Sequence, residues 1–143
     1  MHHVAIMKKQ WKLLEKIVLG KKTIESRWYK RRCEAWGKVR SGDTVFFKNS
    51  GEPITVRARV QKVIEFSDLT FSGMKKILKK YGGHDGIGSD DLNYFYHWVK
   101  GKKYCVLVFL QNPRRVQPFH INKKGFGSAR AWLTMCNINA IRI

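Results

Sequence analysis

Residues 20–27 read Gly20-Lys21-Lys22-Thr23-Ile24-Glu25-Ser26-Arg27, which places two lysines, a glutamate and an arginine within one short segment. In an extended chain successive side chains alternate, so Glu25 and Arg27 face the same side, where the carboxylate can hold the guanidinium in place. Lys22 falls on the other side unless the backbone bends. Lysine and arginine supply donors to phosphate oxygens or to the edge of a nucleobase. A glutamate beside them can accept a hydrogen bond or activate water. Composition alone allows the plainer reading, a solvated charged connector.

Other groups invite the same weighing. Trp28, Tyr29 and Trp36 are interleaved with Lys30, Arg31, Arg32 and Lys38. Rings that stack on bases beside charges that hold phosphates serve single-strand recognition, and such rings serve a core equally well. Tyr94, Phe95, Tyr96 and Trp98 read first as core residues. A short helix has one buried stripe, however, so at least one of these rings should be partly exposed. Phe126 lies between Gly125 and Gly127, near Lys123, Lys124 and Arg130, and reads as a mobile tip able to stack on a base. His84-Asp85 sits in a glycine-rich stretch that reads as a flexible link between helices. Gly83, Gly86 and Gly88 do not make a dinucleotide fingerprint, since a helix rather than a strand precedes them. His97 and His120 carry no specific signal. Four ligands at metal spacing are not found, so neither a metal nor another cofactor is expected.

The charge narrows the partner. Twenty-nine Lys and Arg against ten Asp and Glu give +19 over 143 residues. Residues 1–40 carry twelve basic and three acidic side chains, residues 41–100 nine and seven, and residues 101–143 eight and none. If the two ends meet in the fold they make one positive face, and a polyanion, nucleic acid foremost, is the expected partner. Apolar residues at 43% and aromatics at 13% exclude a disordered chain. The longest apolar run, residues 104–110, is far short of the roughly 20 residues of a membrane helix, so no membrane partner is expected. Cys33, Cys105 and Cys136 form no pair of disulfide or metal type, which fits a reducing, cytoplasmic setting.

The elements that must position these residues can be read from periodicity. The length suits one domain over residues 1–143. Trp11, Leu14, Ile17 and Val18 predict a helix over 8–19, closed by Gly20. Residues 28–36 resist assignment. Ser41-Gly42-Asp43 is a turn leading into a strand over 44–47, and a second turn at 49–53 leads into a strand over 54–66. The alternation of that strand breaks near Lys62, which suggests a bulge or corner. A helix is predicted over 70–81, a third over 91–99 capped by Ser89 or Asp90, and a strand over 104–110. The tail suggests a strand at 116–121, a helical turn at 129–135 and a last strand at 140–143. This order of elements describes an α+β domain.

With Gly20, Lys22, Glu25 and Arg27 in place, the segment matches the pattern G-x-K-x-x-E-x-R and resembles ASCH domains of the PUA-like superfamily. The tryptophan-bearing helix before it, the Gly42-Asp43 entry into a strand, and the later strand, helical insertion and strand follow the family's order over residues 8–110. The likeness is looser beyond. It implies a small mixed β-barrel of about five or six strands with helices packed at its sides, and a cleft lined by the motif.

What the resemblance implies for function is RNA binding or processing, which the charge reaches independently. The nucleic-acid-binding residues would be Lys21, Lys22, Arg27, Trp28, Arg31, Arg32, Arg114, Arg115, Lys123 and Lys124, with RNA the expected partner. An alternative is a hydrolase of a modified nucleoside. Some members resemble enzymes that deacetylate 4-acetylcytidine with a lysine, a threonine and a glutamate. Lys22 matches the lysine, Glu25 stands where the threonine would be, and Asp85, Asp90 or Asp91 falls in the region of the acid. In that case Lys22 and Glu25 are the catalytic candidates and a small nucleoside the ligand. A metal-dependent ribonuclease fits poorly with so few acidic residues. A protein-interaction module in transcription or translation is a further alternative.

Overall fold

A computed structural model describes residues 1–88 and 91–143. The elements are β1 (His2–Met7), a 3-10 turn (Lys9–Trp11), α1 (Leu13–Val18), β2 (Ile24–Tyr29), β3 (Thr44–Asn49), β4 (Ile54–Phe66), α2 (Phe71–Tyr81), α3 (Leu92–Val99), β5 (Tyr104–Phe119), β6 (Trp132–Met135) and a second 3-10 turn (Ile138–Ala140). The six strands form one mixed sheet in the order β2-β5-β4-β3-β1-β6. All neighbouring pairs are antiparallel except β1 and β3. The sheet is curled into a half-barrel, α+β in class as expected.

The curl follows from what the strands bury. Ala5, Met7, Tyr29, Val45, Phe47, Val56, Ala58, Val60, Val106, Val108 and Trp132 converge from all six strands into one interior cluster, and Leu13 and Ile17 of α1 close over it. The two sheet edges are brought together by Arg27 on β2. Its guanidinium donates to Ala131 O, just before β6, at 3.2 Å and to Ile6 O on β1 at 3.3 Å, and lies 5.3 Å from the centre of the Trp132 ring. The opposite face of β2 and β5 presents Ile24, Trp28, Cys105 and Leu107 to Met74, Ile77 and Leu78 of α2 and to Phe95 and Val99 of α3. Thr70 caps α2 by accepting from the Gly73 N–H at 3.1 Å.

At the far edge, His3 is fully buried. Its Nε2 lies 2.8 Å from Asp43 Oδ2 and its Nδ1 2.9 Å from Thr134 Oγ1, while Trp132 Nε1 donates to Nδ1 at 3.2 Å. The Trp132 N–H fixes Nδ1 as an acceptor, so Nε2 carries the proton toward Asp43. Burial lowers the His3 pKa below its ordinary value, with Asp43 acting in the opposite direction. Burial works against the Asp43 carboxylate, yet hydrogen bonds from His3 and the Arg40 N–H hold it below the usual range.

Several elements differ from the sequence reading. The helix expected over 8–19 is a 3-10 turn and a short helix hinged at Lys12, which is left-handed with φ 52°. The strand expected at 104–110 runs on to Phe119 and absorbs the one expected at 116–121. Gln111, Asn112 and Pro113 interrupt its apolar pattern, and there the register against β4 shifts and Asn112 adopts φ 53°. That is a bulge inside a continuous strand. A second shift between Val60 and Lys62 is the break expected near Lys62. Residues 132–135 are β6 rather than a helical turn, because their edge pairs with β1. The last strand is only a bridge of Arg142 to Ile121. β1 is an addition: buried between β3 and β6, its apolar run shows no alternation. The proposed caps Ser89 and Asp90 lie outside the described residues. No described helix is long and apolar enough to cross a membrane.

Candidate functional site

Gly20 closes α1 with φ 74°, as its position suggested, and the chain turns into β2. The turn carries Lys22 beneath the start of the strand. The stretch 82–88 then folds over it. His84 O accepts from the Thr23 and Ile24 N–H groups at 2.8 and 3.0 Å. Gly86 holds φ 84°, and a Cβ there would come within 3.3 Å of Lys22 Cδ, so a glycine allows the loop to lie on the lysine stem. What reads as a flexible link is therefore a docked cover, and Asp85 within it is buried.

Lys22 Nζ donates to Asp85 Oδ1 at 2.6 Å, to Asp85 O at 2.6 Å and to Ile24 O at 2.7 Å. These three acceptors use all three ammonium hydrogens. Asp85 Oδ1 also accepts from the Ser26 N–H at 3.0 Å, and its Oδ2 from Ser26 Oγ, which in turn accepts from Trp28 Nε1 at 3.0 Å. Burial pushes the Asp85 carboxyl above the usual carboxylate range, Glu25 adding to this and Lys22 and Ser26 pulling it down. Glu25 stands next to this pair with Oε1 3.5 Å from Lys22 Nζ and Oε2 3.4 Å from an Arg27 nitrogen. The shared face expected for Glu25 and Arg27 is present. Lys22 also reaches Glu25, because the chain bends before β2 begins.

Above these groups lies a cavity of about 200 Å³ lined by Gln10, Trp11, Leu13, Lys16, Lys22, Glu25, Ser26, Asp85, Gly86, Ile87, Asp91, Tyr94, Phe95 and Trp98. Trp11, in the turn before Lys12, packs against both the interior cluster and α3, where its ring meets Trp98 edge-on at 5.9 Å and Phe95 at 6.3 Å. Tyr94 is largely exposed, the outward ring expected of this helix. Lys8 Nζ sits 4.9 Å from the Trp11 ring centre and Lys102 Nζ 5.4 Å from that of Trp98, while Lys16, itself in the lining, donates to Gly86 O at 3.0 Å. The cavity thus joins charged and aromatic side chains, with further cations against its two tryptophans. A space of this size suits one planar group rather than a larger ligand.

The other residues singled out from sequence disperse. Lys21, Arg31, Arg32, Arg114, Arg115 and Lys124 are exposed. Arg32 lies 5.8 Å from the Trp36 ring centre, and Arg115 donates to Glu15 at 2.6 Å. Lys123 closes its own loop by donating to Ser128 O and Arg130 O at 3.2 and 2.9 Å, and Phe126 packs on the core cluster beside β3 instead of forming a free tip. Trp28 is only 3% exposed and packs against Phe95, so it has no face for a base. Arg27 directs its donors to backbone carbonyls and Glu25 rather than to solvent. Trp11, Trp98, Lys8, Lys16 and Lys102 were not picked out as site residues. For the two tryptophans only their aromatic type hinted at a role, and their positions on helical stripes pointed to a core.

A curled mixed sheet with helices against its outer face and a motif-lined cavity at one edge strand defines a PUA-like fold. More narrowly, it is the fold of ASCH domains. ASCH from Zymomonas mobilis superposes with a TM-score of 0.65 at 14% identity, covering 94% of this chain and 87% of that one. The N-terminal domain of Staphylothermus marinus McrB superposes at 0.56 with 15% identity, over 94% and 87%. A protein from Enterococcus faecalis V583 reaches 0.51 with 15% identity, over 75% and 68%. No protein-family model matches the sequence, and no curated protein matches it.

Proposed function

We propose that this protein binds single-stranded RNA and takes one base of the strand into the cavity. The observation that carries this reading is the union of aromatic rings, charged side chains and cations set against the rings in one base-sized space. Trp11, Trp98 and the exposed Tyr94 offer surfaces for stacking, each stacked base contributing about 1–3 kcal/mol. Lys8, Lys16 and Lys102 hold the flanking phosphates. Exposed Lys21, Arg31, Arg32, Arg114, Arg115 and Lys124 extend the positive field along the strand, and the +19 charge draws it in. Lys22 and Arg27 act from below by fixing the floor.

A labelled single-stranded RNA titrated beside the matching DNA between 50 and 200 mM salt tests this. The expected result is binding that favours RNA, quenches tryptophan fluorescence, and has a log–log salt slope of about −0.7 per phosphate contact. Loss of all binding at the upper salt, with no quench at any salt, would reject it.

One observation favours a second reading. The fold brings Asp85, one of the three aspartates the resemblance left open, onto Lys22. In a hydrolase of an acylated nucleoside, Glu25 would take a proton from water, the hydroxide would attack the acyl carbonyl, and the released amine would recover the proton. Free cytidine and acetate appearing from 4-acetylcytidine would establish this route. An unchanged substrate would leave the cavity as a binding site.

A further inference from the structure

Glu25 is the buried carboxylate at the cavity floor whose acceptor capacity is least used. Its side chain is 6% exposed. Hydrogen bonds from cationic donors to carboxylates run to about 2.7–2.9 Å. The nearest cations to Glu25 stand off at 3.4 and 3.5 Å. Neither can do much better where it is. The three hydrogens of Lys22 are held by Ile24 O, Asp85 O and Asp85 Oδ1, and the Arg27 guanidinium is anchored to Ala131 O and Ile6 O. Asp85, by contrast, is filled by Lys22 and Ser26. A buried carboxylate without close donors is costly, and a ligand that supplies them gains what the protein lacks.

Resting on the RNA reading above, we infer that the cavity selects guanine, with Glu25 accepting two parallel hydrogen bonds from the base's N1–H and 2-amino group. Of the four bases only guanine presents two adjacent donors on its pairing edge. Adenine and cytosine set a ring acceptor beside their amino group, which would face the carboxylate lone pairs. Uracil offers one N–H between two carbonyls. The paired geometry matches a planar carboxylate, and the aromatic wall of Trp11, Phe95 and Trp98 bounds the space in which the ring must lie. Lys16 in the lining and the cations against Trp11 and Trp98 offset the carboxylate's repulsion of the strand's phosphates.

The test uses Trp11 and Trp98 as reporters. The intact protein is titrated with the 5′-monophosphates of guanosine, inosine, adenosine, cytidine and uridine, and then with short homopolymeric RNAs. The expected result is half-saturation by the guanosine compound at a concentration at least about 10-fold below those of adenosine, cytidine and uridine, in line with the discrimination of a bidentate contact. Inosine, which lacks the 2-amino group, should fall between. Glu25→Gln, which replaces one acceptor by a donor, should erase the guanosine advantage while leaving the melting temperature close to that of the parent. If that variant does not fold, the guanosine–inosine difference in the unaltered chain still decides the matter, since a merely structural Glu25 would not produce it. Equal quenching by all five compounds, or a preference for adenosine, would overturn guanine selection and leave the RNA reading standing. No quench by any monophosphate or RNA would overturn both.

Discussion

At the scale of single residues, Lys22 and Asp85 decide whether the site exists. Their contact is buried on both sides, with side chains 1% and 6% exposed. Such a pair contributes little net stability relative to apolar partners, but breaking it leaves a charge stranded. Asp85→Ala should therefore lower the unfolding free energy by about 3–5 kcal/mol, whereas a double replacement, Lys22→Met with Asp85→Leu, should recover most of that loss. Urea denaturation of the two variants beside the parent measures it. A loss in Asp85→Ala below 1 kcal/mol would mean that the loop does not hold Lys22. The sequence made half of this legible. Lys22, Glu25 and Arg27 stand at recognisable spacing on one short segment, and the Glu25–Arg27 contact follows from strand alternation. Asp85 lies 63 positions from Lys22 among glycines, and no local periodicity marks a residue whose partner is supplied by another part of the chain.

At the scale of elements, the break at Lys12 shapes the cavity. A continuous helix would set Trp11 about 120° around its axis from Ile17. The left-handed Lys12 separates the two turns, and Trp11 reaches α3 while still touching the interior cluster that Leu13 and Ile17 close. Periodicity could not reveal this, because apolar spacing on both sides of Lys12 agrees with one helix. Lys12 is exposed, so substitutions there report on the backbone alone. Lys12→Gly should be neutral or slightly stabilising, and Lys12→Val should cost about 1–2 kcal/mol, since a β-branched residue resists positive φ. Thermal melts of both variants compare them. The same cause hid the length of β5. Its bulge at Asn112 interrupts the apolar pattern without ending the strand, whereas α2, which repeats without interruption, and β4, whose one break at Lys62 is itself visible, are read closely from sequence.

At the scale of the whole molecule, stability should depend on pH through the far edge of the sheet. The folded-state pKa of His3 lies below its ordinary value of 6.5. Burial shifts His2 in the same direction. Between the folded and unfolded values the unfolded chain binds more protons, so stability is full above pH 6.5 and falls as pH drops below it. Asp43, held below its ordinary 3.8, adds a separate loss at more acidic pH as it too is protonated. The melting temperature should decline from pH 7 to pH 5, and His3→Asn should flatten that decline while lowering stability at pH 7. A profile unchanged by the substitution would place the titration elsewhere.

The position of β1 has a consequence for how the chain is made. β1 leaves the ribosome before its parallel partner β3, and well before β6, which covers its other edge. For most of synthesis the apolar run of Val4, Ala5 and Ile6 has at least one strand edge open to solvent. Pairing over such sequence distances is slow, and an open apolar edge is where two nascent chains can join. The completed protein hides that edge behind β6, while a chain still in synthesis depends on not meeting another copy of itself.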